Sequence, residues 1–303
     1  MAVSGDRRGD VLRHVLEHVS IEVTSRAPRV ADTLRRHFAD GIDVHVTFLP
    51  DDALRTSEET CIGLRQAGYN PIPHLTARNF TDRGTLERHL ARLAEEAQVS
   101  RVLVIAGDVE RPKGEFTSSL DVMRTGLFEK HGIRSVLVAG HPEGHPDITD
   151  DMLDAALREK IACARERGLQ TEIATQFCFE AEPVLRWLAR IRALGIGVPV
   201  RIGVAGPAGT ATLLKFGMRC GIGNSLRVLR QRTQIGKLIG NTSPDELVSA
   251  LAAGLSERDL GSIAGIHLYL FGGARKTSEW LSAARLRAEL HAHSPRTAGA
   301  QRR

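Results

Sequence analysis

Eight apolar runs punctuate the chain, at 19–23, 44–48, 71–75, 102–106, 135–139, 172–177, 200–205 and 263–270, the first seven about 30 residues apart and the eighth after a longer gap. Several are continuous rather than alternating. Val102-Leu103-Val104-Ile105-Ala106 and Val136-Leu137-Val138-Ala139 have no polar face, as strands covered on both sides of a parallel sheet require. Helical spacing fills the intervals. Leu86, Leu90 and Leu93 follow Thr85, and Thr149-Asp150-Asp151 opens an amphipathic run that stops at Gly168. Ser243-Pro244-Asp245-Glu246 opens another, ending near Gly254, with a capping hydroxyl, proline at the first helical position and acids in the first turn. Gly132 and Gly195 stand as helix stops ahead of the fifth and seventh runs.

Strand and helix alternating eight times predict a (β/α)8 TIM barrel, a single α/β domain over residues 1–293. The interval 206–261 is about twice the usual length and predicts a helical insertion between the seventh and eighth strands, capping one side of the barrel mouth. Residues 294–303 form a polar tail expected to be disordered. A doubly wound open sheet would also bury its strands. However, no Gly-x-Gly-x-x-Gly follows the first run, and Gly221-Ile222-Gly223-Asn224 lies in the wrong place without the third glycine.

Composition narrows the classes. With 303 residues, 42% hydrophobic and 25% charged, the chain can fill one large core. A net charge of +5 and a pI near 9.3 raise nucleic acid as a partner, but the Lys and Arg residues alternate with acids along 83–96 and 158–167, the pattern of solvated helix faces. Cys61, Cys163, Cys178 and Cys220 make no Cys-x-x-Cys pair, so reduced thiols are expected rather than a zinc site or a disulfide scaffold. Residues 1–13 are charged and lack the apolar core of a signal peptide, and no run approaches the roughly 18 apolar residues that span a bilayer. The expectation is a soluble cytoplasmic protein with no nucleic-acid or membrane partner, and with an exposed insertion face that could serve as a homo-oligomer interface.

In such a barrel the active site gathers where the strands end. Glu22, Thr47, His74, Asp108, His141, Gln176 and His267 all stand at or near those ends. Two carboxylates in differently solvated places, Glu22 and Asp108, can divide acid and base duties. His74, His141, His145 and His267 offer imidazoles at the mouth. The one His-x-His pair, His291 and His293, lies near the C-terminal tail rather than on the first strand, so no metal is expected. His45, mid-strand, reads as packed or lumenal. Cys178, between Phe177 and Phe179, reads as packing, and no Gly-x-Ser-x-Gly elbow is present. Phe271-Gly272-Gly273-Ala274-Arg275-Lys276 is either an anion-binding turn or simply a tight one.

Taken in order, these strand ends resemble the methylenetetrahydrofolate reductase family. Pro73-His74-Leu75-Thr76 is similar to that family's Pro-His-Leu-Thr, and Ala106-Gly107-Asp108 to its Arg-Gly-Asp. His141-Pro142-Glu143-Gly144-His145-Pro146 is similar to Tyr-Pro-Glu-x-His-Pro, and Thr175-Gln176-Phe177-Cys178-Phe179 to Thr-Gln-Phe-Phe-Phe/Tyr. Ile21-Glu22-Val23 and His267-Leu268-Tyr269 match the first and closing strands, so the likeness runs from about residue 20 to 280.

The resemblance implies an enzyme that interconverts 5,10-methylenetetrahydrofolate and 5-methyltetrahydrofolate, with reducing equivalents from NADH or NADPH passing through FAD. It implies Glu22 as the acid that protonates the leaving folate nitrogen, Asp108 as the carboxylate that stabilises the cationic intermediate and bonds the pterin, and Gln176 and Phe179 as further folate contacts. Thr47, His74, Thr76, His141, His145 and Lys160 take the cofactor positions. The departures cluster at the flavin. Thr47-Phe48-Leu49-Pro50 replaces Thr-Tyr-Gly-Ala, Ala106 replaces Arg, His141 replaces Tyr, and Ala156 and Glu159 replace an Asn and an Arg, while Lys160 is kept. The expectation is weak, altered or absent FAD binding, with nicotinamide delivering hydride directly if flavin is absent. The rival readings are a barrel lyase or aldolase using Lys160 or Lys276 on an anionic small molecule, and a non-catalytic folate-binding protein.

Overall fold

The computed structural model describes residues 7–26, 29–49, 51–219 and 241–293. Its eight parallel strands are β1 (Val19–Thr24), β2 (Asp43–Thr47), β3 (Asn70–Thr76), β4 (Arg101–Ile105), β5 (Ser135–Gly140), β6 (Gln170–Cys178), β7 (Val200–Ala205) and β8 (Ile263–Tyr269). They close into a barrel in chain order, with β1 pairing β2 on one side and β8 on the other. The apolar runs and the strands agree to within a few residues at each end.

Each strand alternates between helix layer and lumen. Ile21 and Val23 of β1, Val44 and Val46 of β2, and Val102 and Val104 of β4 join the large core under the helices. Their neighbours turn inward, which is why β4 has no polar face: Leu103 and Ile105 meet Ile72, Leu137 and Ala174 in a second apolar cluster. Towards the N-terminal end of the strands the lumen is closed by charge instead. Arg101 pairs with Asp43 and reaches Glu172 at 3.6 Å, and Arg201 donates to Glu172 at 2.6 Å and to the His18 carbonyl at 3.1 Å.

Local chemistry sets the helix ends. Asp82 rather than a threonine caps the helix Arg83–Ala97, its carboxylate accepting from the Thr85 amide at 2.7 Å. Thr149 caps Asp150–Glu166 as expected. Pro244 occupies the cap of Asp245–Gly254, one position before the helical site that its sequence suggests. A helix that the strand rhythm does not predict, Arg7–Glu17, precedes β1 and packs on the last helix, Ala274–His293. The insertion after β7 holds a helix at Thr210–Arg219 and a ribbon in which Ala208–Gly209 pairs antiparallel with Asn241–Thr242. Residues 220–240, with Cys220 and the Gly221-Ile222-Gly223-Asn224 segment, and the tail 294–303 lie outside the described residues. Cys61, Cys163 and Cys178 are buried and unbridged. No helix among the described residues is long and apolar enough to cross a membrane.

Candidate active site at the barrel mouth

The alternation that buries Ile21 and Val23 aims Ser20 and Glu22 into the lumen, and the same parity brings His45, His74 and His267 in from β2, β3 and β8. The Glu22 side chain is only 18% exposed, with Oε2 3.6 Å from His267 Nε2 and 3.8 Å from His74 Nε2. His74 Nε2 lies 3.4 Å from His45 Nδ1, and Ser20 Oγ lies 2.8 Å from His267 Nδ1. Burial raises the Glu22 carboxyl to about 7, opposed by His74. Burial also lowers His74 to about 4 and His267 to about 3, and His45 well below the ordinary imidazole range. The lumen therefore holds neutral imidazoles around a carboxyl that titrates near neutrality. Among the described residues no group of three His, Cys, Asp or Glu is arranged to hold a metal ion.

One wall of the mouth is aromatic. Phe177 meets Phe179, Tyr269 and Phe271 with ring centroids 5.7, 5.1 and 4.8 Å apart, and Phe216 of the insertion stacks on Phe271 at 4.3 Å and 16°. Tyr269 also donates its hydroxyl to the Thr175 carbonyl at 3.1 Å. Of these rings only Phe179 is a folate contact implied by the sequence motifs, although Phe177, Tyr269 and Phe271 fall in segments that the motifs and the Gly-Gly turn mark. The parity of β8 was the available signal for Tyr269, which shares a face with His267, whereas Phe216 comes from a helix with no strand register to reveal it. Gln176 lies in β6 and turns its side-chain oxygen onto the Phe177 amide at 3.1 Å. Asp108 is exposed, three residues beyond β4 on the rim.

The cofactor positions divide. His141 and His145 stack edge to face at 5.7 Å, and burial, with smaller contributions from His145 and Lys160, lowers the His141 imidazole to about 4. Burial likewise lowers Lys160. This corner sets the Lys160 ammonium beside two imidazoles that can donate hydrogen bonds, which suits an anionic moiety such as a phosphate. The flavin positions do not offer themselves in the same way: Thr47 donates its hydroxyl to the Val23 carbonyl, the Thr76 oxygen accepts from Asn79, and His74 faces Glu22. Ala106 also stands here in place of the family's Arg. A separate cleft of about 530 Å³ opens at the opposite face, lined by residues that include His18, Asp43, Arg201 and Arg285. Its arginines pair with Glu172 and with backbone carbonyls.

Known proteins bear on this geometry. A solved protein from Clostridium thermocellum, described as binding two copies of 5-methyl-5,6,7,8-tetrahydrofolic acid, superposes with a TM-score of 0.58 at 13% identity, covering 92% of this chain and 99% of that one. Dihydropteroate synthase from Thermus thermophilus gives a TM-score of 0.45 at 15% identity over 88% and 94% of the two chains. The 5,10-methylenetetrahydrofolate reductase of Pectobacterium carotovorum subsp. carotovorum is 28% identical over 155 residues, 50% of this chain and 48% of that protein. The chain thus spans about half the length of the curated relative it matches. The methylenetetrahydrofolate reductase family model matches residues 9–222, from the first helix through all but the last of the barrel strands. The ordered motifs on β1 and β3 to β6 fall inside that span, and the chain belongs to the methylenetetrahydrofolate reductase family.

Proposed function

We propose that this protein interconverts 5,10-methylenetetrahydrofolate and 5-methyltetrahydrofolate, with Glu22 as its acid. The observation that carries the reading is Glu22 itself: a shielded carboxyl at the mouth, raised to about 7 and so half-protonated at neutral pH, beside an aromatic wall that suits a pterin. NADH or NADPH supplies the hydride when bound, with the His141, His145 and Lys160 corner receiving its phosphates. Ala106 in place of Arg, with the Thr47 hydroxyl bonded to the Val23 carbonyl, supports hydride delivery without FAD.

The remaining work falls to the side chains. Glu22 gives its proton to the bridge nitrogen that leaves, the carbon–nitrogen bond opens, and the one-carbon unit becomes an iminium able to accept hydride. Asp108 on the rim offers a carboxylate to that cation. Gln176 swings its amide from the Phe177 N–H to the pterin edge, and Phe179, Tyr269 and Phe271 hold the ring against the wall and keep water from the iminium.

The test is spectrophotometric. NADH or NADPH oxidation should depend on methylenetetrahydrofolate, fall by at least about 100-fold in Glu22→Gln, and proceed in protein that carries no flavin absorbance. Folate binding without turnover would leave a binding protein, and turnover on another anionic substrate that dies with Lys160→Ala would favour the lyase reading.

A further inference from the structure

Between β4 and the next helix the chain runs over residues 106–118 with no helix or strand of its own, and this excursion carries Asp108. Loops of that length are mobile unless something ties them down. Here the excursion lies against the turn that follows β3. A β-carbon on Gly107, at φ +95°, would stand 3.0 Å from the Thr76 β-carbon, and one on Gly114 would overlap the Thr81 carbonyl. Further along, Glu115 accepts from the Arg83 amide at 2.7 Å, and Phe116 is buried in the large core.

Arg78 sits at the centre of that seam, in the single 3₁₀ turn Ala77–Asn79. Its amide donates to the Ala106 carbonyl at 2.9 Å, and its carbonyl accepts from the Lys113 amide at 2.8 Å. Its guanidinium reaches further, with Nε donating to the Thr117 carbonyl at 2.9 Å and Nη1 to the Val109 carbonyl at 3.4 Å. One residue therefore engages the excursion at Ala106, Val109, Lys113 and Thr117. Two of these, Ala106 and Val109, bracket Asp108. A charged donor makes such bonds to carbonyls stronger than neutral ones, and the planar fork of an arginine fixes two acceptors at once, which an ammonium does not.

We propose that Arg78 is the positioning residue for Asp108: by holding the backbone before and after that carboxylate, it fixes the rim loop so that Asp108 meets the bound folate in one place. Arg78 itself touches no reacting atom. Its effect is to spare the loop the loss of freedom that ordering at each turnover would otherwise cost. The proposal rests on the reading of Asp108 as the group that steadies the cation, but its first measurement needs no turnover.

Amide hydrogen exchange of the full chain without ligand, followed by NMR, reads the seam through the Lys113 amide, whose acceptor is a backbone carbonyl that survives substitution of Arg78. Arg78→Met keeps the apolar stem and removes the side-chain donors, and it should speed that exchange at least about tenfold while the amides of β1 keep their rates. In turnover of 5,10-methylenetetrahydrofolate with NADH the same variant should lower kcat about tenfold with little change in the KM for NADH, and should add nothing to the loss caused by Asp108→Asn. A general structural defect would instead lower kcat by the same factor whether or not Asp108 is intact. Unchanged Lys113 exchange, or kcat losses that multiply in the double variant, overturns the proposal. If turnover is absent or indifferent to Asp108→Asn, the reading of that carboxylate fails, while the exchange still decides whether Arg78 holds the loop. Arg78→Lys, which keeps the charge without the fork, should show the same changes in smaller measure, and it decides the matter if Arg78→Met does not fold.

Discussion

Gly203 of β7 stands so close to Thr175 of β6 that a β-carbon on it would overlap the Thr175 carbonyl oxygen, while its amide donates to the Thr175 hydroxyl at 2.8 Å. The pair marks the slip in register between Ala174 and Phe177, the irregularity that carries Gln176 and delivers Phe177 to the aromatic wall. Gly203→Ala should force the strands apart, lowering stability by about 2 kcal/mol and weakening folate binding in the same variant. Urea unfolding and calorimetric titration with 5-methyltetrahydrofolate check both, and an unchanged midpoint would mean that the irregularity tolerates a methyl group.

The barrel was legible because its period is covalent in origin: strands of about six residues between helices, each strand apolar on its outer face. The site was legible only in part. Glu22, His74 and Gln176 stand on strands, where parity fixes direction, and the chain's own motifs drew attention to them. Asp108 sits beyond the strand on an exposed rim, where nothing in the sequence settles its aim. His45 looked ambiguous because a histidine within an apolar run suits either face, and only the neighbouring register with Glu22 resolves it towards the lumen. Phe216 and Phe271 meet through the insertion, a contact between segments whose relative placement no local pattern encodes.

Glu22 makes stability and pH informative together. Its carboxyl is raised from 4.5 to about 7 in the folded chain, so its contribution is fully present below about 4.5 and is lost as pH rises towards 7. The lowered imidazoles of His74, His141 and His267 act in the opposite direction, losing stability as pH falls from 6.5. Glu22→Gln should therefore stabilise the protein at pH 8, by on the order of 2 kcal/mol, relative to its effect near pH 4, where the carboxyl is neutral in the folded and unfolded chain alike. Thermal melts of both proteins across that range test this, and a gain that persists undiminished at low pH would contradict a raised carboxyl. In the parent protein the reductive kcat/KM should decline above about pH 7 as the acid form disappears.

Glu172 neutralises the two arginines that close the lumen, and Arg201 is itself buried. Removing the carboxylate strands a buried guanidinium, so Glu172→Ala should destabilise by about 3 kcal/mol, more than replacing both partners with apolar residues as in Glu172→Leu with Arg201→Met. Urea unfolding of the three proteins gives the comparison. A double variant less stable than Glu172→Ala would show that the charges add specific stability beyond compensating one another.

Phe271 links the insertion to the barrel, stacking on Phe216 on one side and meeting Phe177 and Tyr269 on the other. Phe216, Tyr269 and Phe271 are partly rather than fully buried, unlike Phe177. A pterin placed there gains stacking that a leucine cannot reproduce, at about 0.5–1.5 kcal/mol per ring beyond burial. Phe271→Leu keeps most of the apolar volume and should cost less than about 1.5 kcal/mol in stability while weakening 5-methyltetrahydrofolate about tenfold. Phe216→Leu, one ring further from Tyr269 and Glu22, should weaken it less. Equal losses in the two variants, or a loss of folding that accounts for the binding defect, would move the pterin away from this wall.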